Sequence, residues 1–126
     1  MNTHLEKLAD RLYNDANRSE RQLALIRKIA ATGDPEAIGV LAGVMDTPGV
    51  IGRAAARAIH STFGQLAYEP MKRLVEESVD EDQIRNAYRV LAALGDAYAR
   101  RAVRAHCWAD LEEEDRRLTV LLEDAG

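Results

Sequence analysis

Apolar residues recur along this chain at intervals of three and four, the spacing that lays a stripe along one face of an α-helix. Leu5, Leu8 and Leu12 form the first stripe, and Leu23, Ile26, Ile29 and Ala30 the second. Ile38, Leu41, Ala42 and Met45 make a third. In the fourth, a rotation of 100° per residue puts Ile51, Ala54, Ala55, Ala58, Ile59 and Thr62 on one side and Arg53, Arg57 and His60 opposite. Met71, Leu74, Val75 and Val79 follow, then Ile84, Ala87, Tyr88, Leu91 and Leu94, then Tyr98, Ala102 and Val103. Leu111, Leu118, Leu121, Leu122 and Ala125 complete the series.

The residues between the stripes mark where each helix starts and stops. Gly33, Gly64, Gly95 and Gly126 stand 31 residues apart, each after a stripe, where a left-handed residue ends a helix. Thr3 with Glu6, Ser19 with Gln22 and Asp80 with Gln83 have the spacing of capping boxes, in which two side chains satisfy amide groups at a helix start. Asp34 before Pro35 reads as a cap followed by a first helical residue, and Asp96 and Asp110 as further caps. Asn14 to Asn17 and Asp46-Thr47-Pro48-Gly49 are turns. Pro70 resets a helix start and makes Gln65 to Glu69 a connector. One domain over 1–126 is expected, with helical hairpins at about 3–33, 34–64, 65–95 and 96–126.

Gly-Asp-Pro-Glu-Ala at Gly33 to Ala37 and Arg-Ala-Ala-Ala-Arg-Ala-Ile at Arg53 to Ile59 resemble the bacterial HEAT-like repeats, including those related to phycobilisome lyase subunits. The likeness is specific for 33–64 and rests elsewhere on the period. It implies an all-α fold, a right-handed α-α superhelix or α-solenoid of about four HEAT-like hairpins, whose second helices line a concave binding groove.

Composition narrows the chemistry. The chain has 126 residues, 47% apolar and 30% charged, enough to bury about two thirds of its unfolded surface without a metal or disulfide. Cys107 is the only cysteine, which fits a reducing, cytoplasmic setting. Met1 to Leu12 carries Glu6, Lys7, Asp10 and Arg11 and lacks the apolar core of a signal peptide, and no apolar run reaches membrane-spanning length. Net charge is −4, with eight basic and seven acidic residues up to His60 and nine against fourteen after it. That balance opposes nonspecific nucleic-acid binding.

Arginines repeat with the hairpins. Arg21, Arg53, Arg85 and Arg117 are spaced by 32 residues, and Arg57 and Arg89 repeat the interval one turn later. One reading is a groove that binds carboxylate or phosphate through guanidinium, with Arg53, Arg57, His60, Arg85 and Arg89 as its residues. The other is structural, because Asp15, Asp46, Asp80 and Asp110 precede the first arginine of each set, and the HEAT resemblance implies a turn aspartate paired with an arginine. Arg57 and Arg89 lack such a partner in the pattern and are the stronger binding candidates. For His60 a solvated surface histidine is the default reading, because nothing else in the sequence suggests a role.

No catalytic set emerges. His106 and Cys107 are adjacent, so their side chains diverge by about 100° on a helix, and Cys107 and Trp108 read as core or hairpin-closing residues. His4, His60 and His106 lie in three hairpins without metal-ligand spacing, so no metal or cofactor is expected. Gly39 and Gly43 fall inside a helix, where glycine permits close packing. The expected function is a noncatalytic protein-interaction scaffold or adaptor that binds a protein partner through the concave groove, an acidic one in the arginine-groove reading. Alternatives are a nucleic-acid-binding module using the arginine ladder, or a lyase-like or chaperone partner of an enzyme.

Overall fold

The computed structural model describes residues 3–14 and 19–111, and every regular element among them is helical. The helices are α1 (Thr3–Asn14), α2 (Ser19–Ala31), α3 (Ala37–Val44), α4 (Val50–Phe63), α5 (Tyr68–Glu77), α6 (Glu81–Ala93) and α7 (Ala97–Ala105). A 3-10 turn, Gly64–Ala67, joins α4 to α5. Helix α2 packs on α4 and α4 on α6, while α1 lies against α2, α3 against α4, and both α5 and α7 against α6. None of these helices is long and apolar enough to cross a membrane.

The first two helices follow their stripes. Leu5, Leu8 and Leu12 of α1 and Leu23, Ile26, Ile29 and Ala30 of α2 are all buried. Each such leucine or isoleucine contributes about 1.5–3 kcal/mol relative to an exposed one. The turn at 15–18 and the last stripe beyond Leu111, with Arg117 and Gly126, lie outside the described residues.

Helix α4 is the centre of the packing. Ile51, Gly52, Ala54, Ala55, Ala56, Ala58, Ile59 and Phe63 are buried, covering roughly 200° of its circumference at 100° per residue. Small side chains let α2, α3 and α6 close on it. Thr62, expected inside, is exposed because it stands in the last turn beside the helix end. The helix stops as expected, with Gly64 at φ 52°, and Gly33 and Gly95 take φ 66° and 100° at the ends of α2 and α6.

Several helix starts differ from the sequence expectation. Asp34 Oδ1 accepts from the Glu36 amide at 2.9 Å, so Asp34 to Glu36 form a turn and α3 begins at Ala37. Residues 65–69 are not an open connector, since α5 starts at Tyr68 and holds Pro70 within its first turn. An amide there has no partner inside the helix, so proline removes nothing. Asp80 caps α6 through the Gln83 amide at 2.8 Å, and Asp96 caps α7 through the Ala99 amide at 2.8 Å.

Three buried faces are also corrected. Val79 is 98% exposed, because Ser78 is extended and ends α5 before Val79 can join its stripe. In α6 the buried residues are Asn86, Ala87, Arg89, Val90 and Leu91, while Ile84, Tyr88 and Leu94 are half-buried. In α7 the buried pair is Ala99 and Val103, and Tyr98 is 64% exposed.

Candidate functional site

Helix α6 carries a polar seam at intervals of three residues. Gln83 Nε2 donates to the Ala42 carbonyl at 2.9 Å, while the Ser78 hydroxyl donates to Gln83 Oε1 at 2.6 Å. Asn86 Nδ2 donates to the Met45 carbonyl at 2.8 Å. Arg89 Nη1 donates to Asn86 Oδ1 at 2.7 Å and Nε to the Ala109 carbonyl at 2.8 Å. The three side chains thus tie the end of α3 to α6 and α6 to the segment after α7. The approach requires Gly52, since a Cβ there would overlap the Thr47 carbonyl oxygen and lie 2.9 Å from Asn86 Nδ2.

This seam changes the candidate binding set. Arg89, expected to reach a ligand, is only 7% exposed and spends its donors on Asn86 and a backbone carbonyl. It is a structural cross-link. Arg53, Arg57 and His60 on α4 and Arg85 on α6 are half-exposed, on two helices that pack together. Arg21 is exposed on α2.

Arg85 leads to a cluster that the stripe pattern does not reveal. Its guanidinium lies 5.4 Å from the Trp108 ring centroid, and His106 stacks on the same ring at 4.7 Å and 15°. Tyr88 bridges Trp108 at 6.1 Å and Tyr98 at 6.2 Å, both tilted. Burial and then the neighbouring Tyr98 raise the Tyr88 phenol above its ordinary pKa. Arg85 Nε is buried without a hydrogen-bond acceptor among the described residues.

Cys107 separates the two stacked rings. It is exposed rather than core, and it takes φ 54° at the end of α7, the only non-glycine residue with positive φ among those described. The Trp108 amide donates to the Val103 carbonyl at 3.0 Å and the Cys107 amide to Arg104 at 3.1 Å. These are the bonds of a helix end that usually carries glycine, as Gly95 does at the end of α6. The reverse in the chain lets Trp108, itself half-buried, fold back beside α6. A missing glycine after the seventh stripe is the sequence signal for it.

Two clefts flank these elements. One of about 480 Å³ lies between α3 and α5, lined by Ile38, Gly39, Ala42, Pro70, Arg73 and Leu74. Gly39 does not serve close packing, because a Cβ there would meet nothing within 4 Å. The other, of about 520 Å³, lies between α6 and α7 beside Arg100, Arg104 and Asp110. At the turn between α3 and α4, loss of hydration and then the charges of Asp80 and Asp82 raise the Asp46 pKa. At the turn between α6 and α7, the Ala99 amide and then the Tyr68 hydroxyl, 3.0 Å away, lower that of Asp96.

Among the described residues no group of three or more His, Cys, Asp or Glu is placed to hold a metal ion. No protein-family model, curated protein or solved structure matches the chain.

Proposed function

We propose that this chain is a noncatalytic scaffold of HEAT-like helical hairpins, stacked as an α-solenoid, that binds a protein partner. The observation that carries the reading is the packing order: α2, α4 and α6 touch in succession, and the intervening helices attach to that row. Helical-repeat arrays have this nearest-neighbour order and use it to present an extended surface. Hairpins near 3–33, 34–64, 65–95 and 96–126 account for the positive-φ glycines at Gly33, Gly64 and Gly95. Arg53, Arg57, His60 and Arg85 supply the binding face, because they are half-exposed on adjacent members of the row. Guanidinium groups there favour carboxylates on the partner.

The test is capture from a nuclease-treated lysate of the source organism, with wild type beside Arg53→Glu/Arg57→Glu and melting curves confirming that both are folded. A protein retained by the wild type and lost by the variant is the expected result. Equal retention by both, or retention that vanishes with nuclease, would overturn the reading.

A further inference from the structure

We propose that Tyr98, Tyr88, Trp108 and His106, with Arg85 and Arg101, form the docking surface for an acidic peptide segment of the partner. The inference rests on the scaffold reading and names the chemistry of what the scaffold holds. Tyr98, Arg101, His106 and Cys107 are exposed, and Tyr88, Arg85 and Trp108 are half-exposed. Arg101 stands one turn from Tyr98 on the same face of α7. The patch combines the three residue types that dominate interface energetics, tryptophan, tyrosine and arginine.

Charge chooses the occupant. Helix α7 contains Arg100, Arg101 and Arg104 and no acidic residue, and all three arginines are exposed. Arg85 is held by a ring face, and no carboxylate pairs with it among the described residues. A carboxylate arriving at that guanidinium gains a charge-assisted hydrogen bond while its neighbouring side chains cover tyrosine and tryptophan edges.

Ring geometry disfavours a nucleic-acid strand. Bases need open, parallel faces. Here His106 and Arg85 both lie against Trp108, and Tyr88 is tilted by 39° to Tyr98 and 36° to Trp108.

Trp108 is the only tryptophan, so its emission reports the patch directly. The purified chain is titrated with a synthetic peptide alternating glutamate and leucine, with its glutamine counterpart, and with single-stranded oligothymidylate. The expected result is a saturable change with the glutamate peptide alone, weakened about tenfold by Tyr98→Ala/Arg101→Gln. Both replaced residues are exposed, and far-ultraviolet circular dichroism checks that the variant keeps its helices. A response to the oligonucleotide alone would assign the patch to nucleic acid, and no response to any probe, or an equal response from the variant, would remove the site. If the peptide fails while lysate capture still depends on Arg53 and Arg57, this surface falls and the scaffold reading stands.

Discussion

Helix α4 is enclosed by α2, α3 and α6, whereas α7 leans on α6 along the strip made by Ala99 and Val103. Both helices are rich in alanine and arginine, yet they are held by different physics. Around α4, alanines and Gly52 let backbones approach, so shape decides the fit. Around α6 and α7, directed hydrogen bonds and stacked rings hold the chain and leave aromatic surface exposed. The comparison separates a part of the molecule that tolerates no added volume from a part whose side chains are free to meet another surface.

The strongest way to break the contrast is a charge in each helix. Ala55→Arg places a cation where the structure is fully buried and is expected to cost more than about 4 kcal/mol, seen as loss of the folded baseline in circular dichroism. Ala105→Arg on exposed α7 is expected to stay within about 0.5 kcal/mol of wild type. Similar melting of the two variants would erase the distinction.

Gly52→Ala tests the close approach more finely. The added methyl overlaps a backbone oxygen that has no free rotamer, so a loss of about 2–3 kcal/mol is expected in urea denaturation. Arg89→Ala then probes the hydrogen-bonded region. It leaves Asn86 Oδ1 and the Ala109 carbonyl without their donor, and a loss of about 1–3 kcal/mol is expected. An unchanged midpoint would return Arg89 to the binding face.

The two turn aspartates titrate in opposite directions. The contribution of Asp96, whose pKa is lowered, is present above the ordinary value of 3.8 and is lost as pH falls through its folded value. Asp96→Ala should therefore cost about 1 kcal/mol at neutral pH, as a lost helix cap does, with the gap narrowing below 3.8. Asp46, whose pKa is raised, contributes stability below 3.8 that disappears as pH rises through its folded value. Asp46→Asn should raise the melting temperature at neutral pH and not in acid. Parallel pH profiles for the two variants would contradict this. The smallest effect belongs to Cys107→Gly, which relieves a left-handed backbone but frees the unfolded chain, for a net gain of about 0.5 kcal/mol.

Hydrophobic spacing revealed the helices better than it revealed their faces. Leu5, Leu8 and Leu12 are buried as their spacing implies, because α1 has one apolar side and nothing competes for it. Helix α6 departs from this, since a polarity pattern assigns Asn86 and Arg89 to solvent. Their burial depends on the carbonyls of Met45 and Ala109, one distant in sequence and one beyond the next helix, and no local pattern carries that information. Tyr98 was misplaced for a related reason. A large aromatic residue at an apolar position reads as core, but capping by Asp96 starts α7 so that Ala99, and not Tyr98, faces inward. Of the candidate site, Arg53, Arg57 and Arg85 were visible as a repeat and His60 as a neighbour on the stripe of Arg53 and Arg57, while the rings around Arg85 depend on a left-handed turn at a cysteine.

The Gln83, Asn86 and Arg89 seam has a consequence for how the chain comes apart. Linear helical arrays with only nearest-neighbour contacts can fray from an end, one unit at a time. Here the carbonyl of Met45 at the end of α3, Asn86 and Arg89 of α6 and the segment at Ala109 share one connected set of side-chain bonds, and Gln83 adds a separate tie to Ala42. Peeling away the segment after α7 exposes Arg89, which loosens Asn86 and with it the end of α3. Denaturation from residue 45 to residue 109 is thereby expected to be cooperative, and fluorescence of Trp108 and loss of helical signal should fall on a single transition.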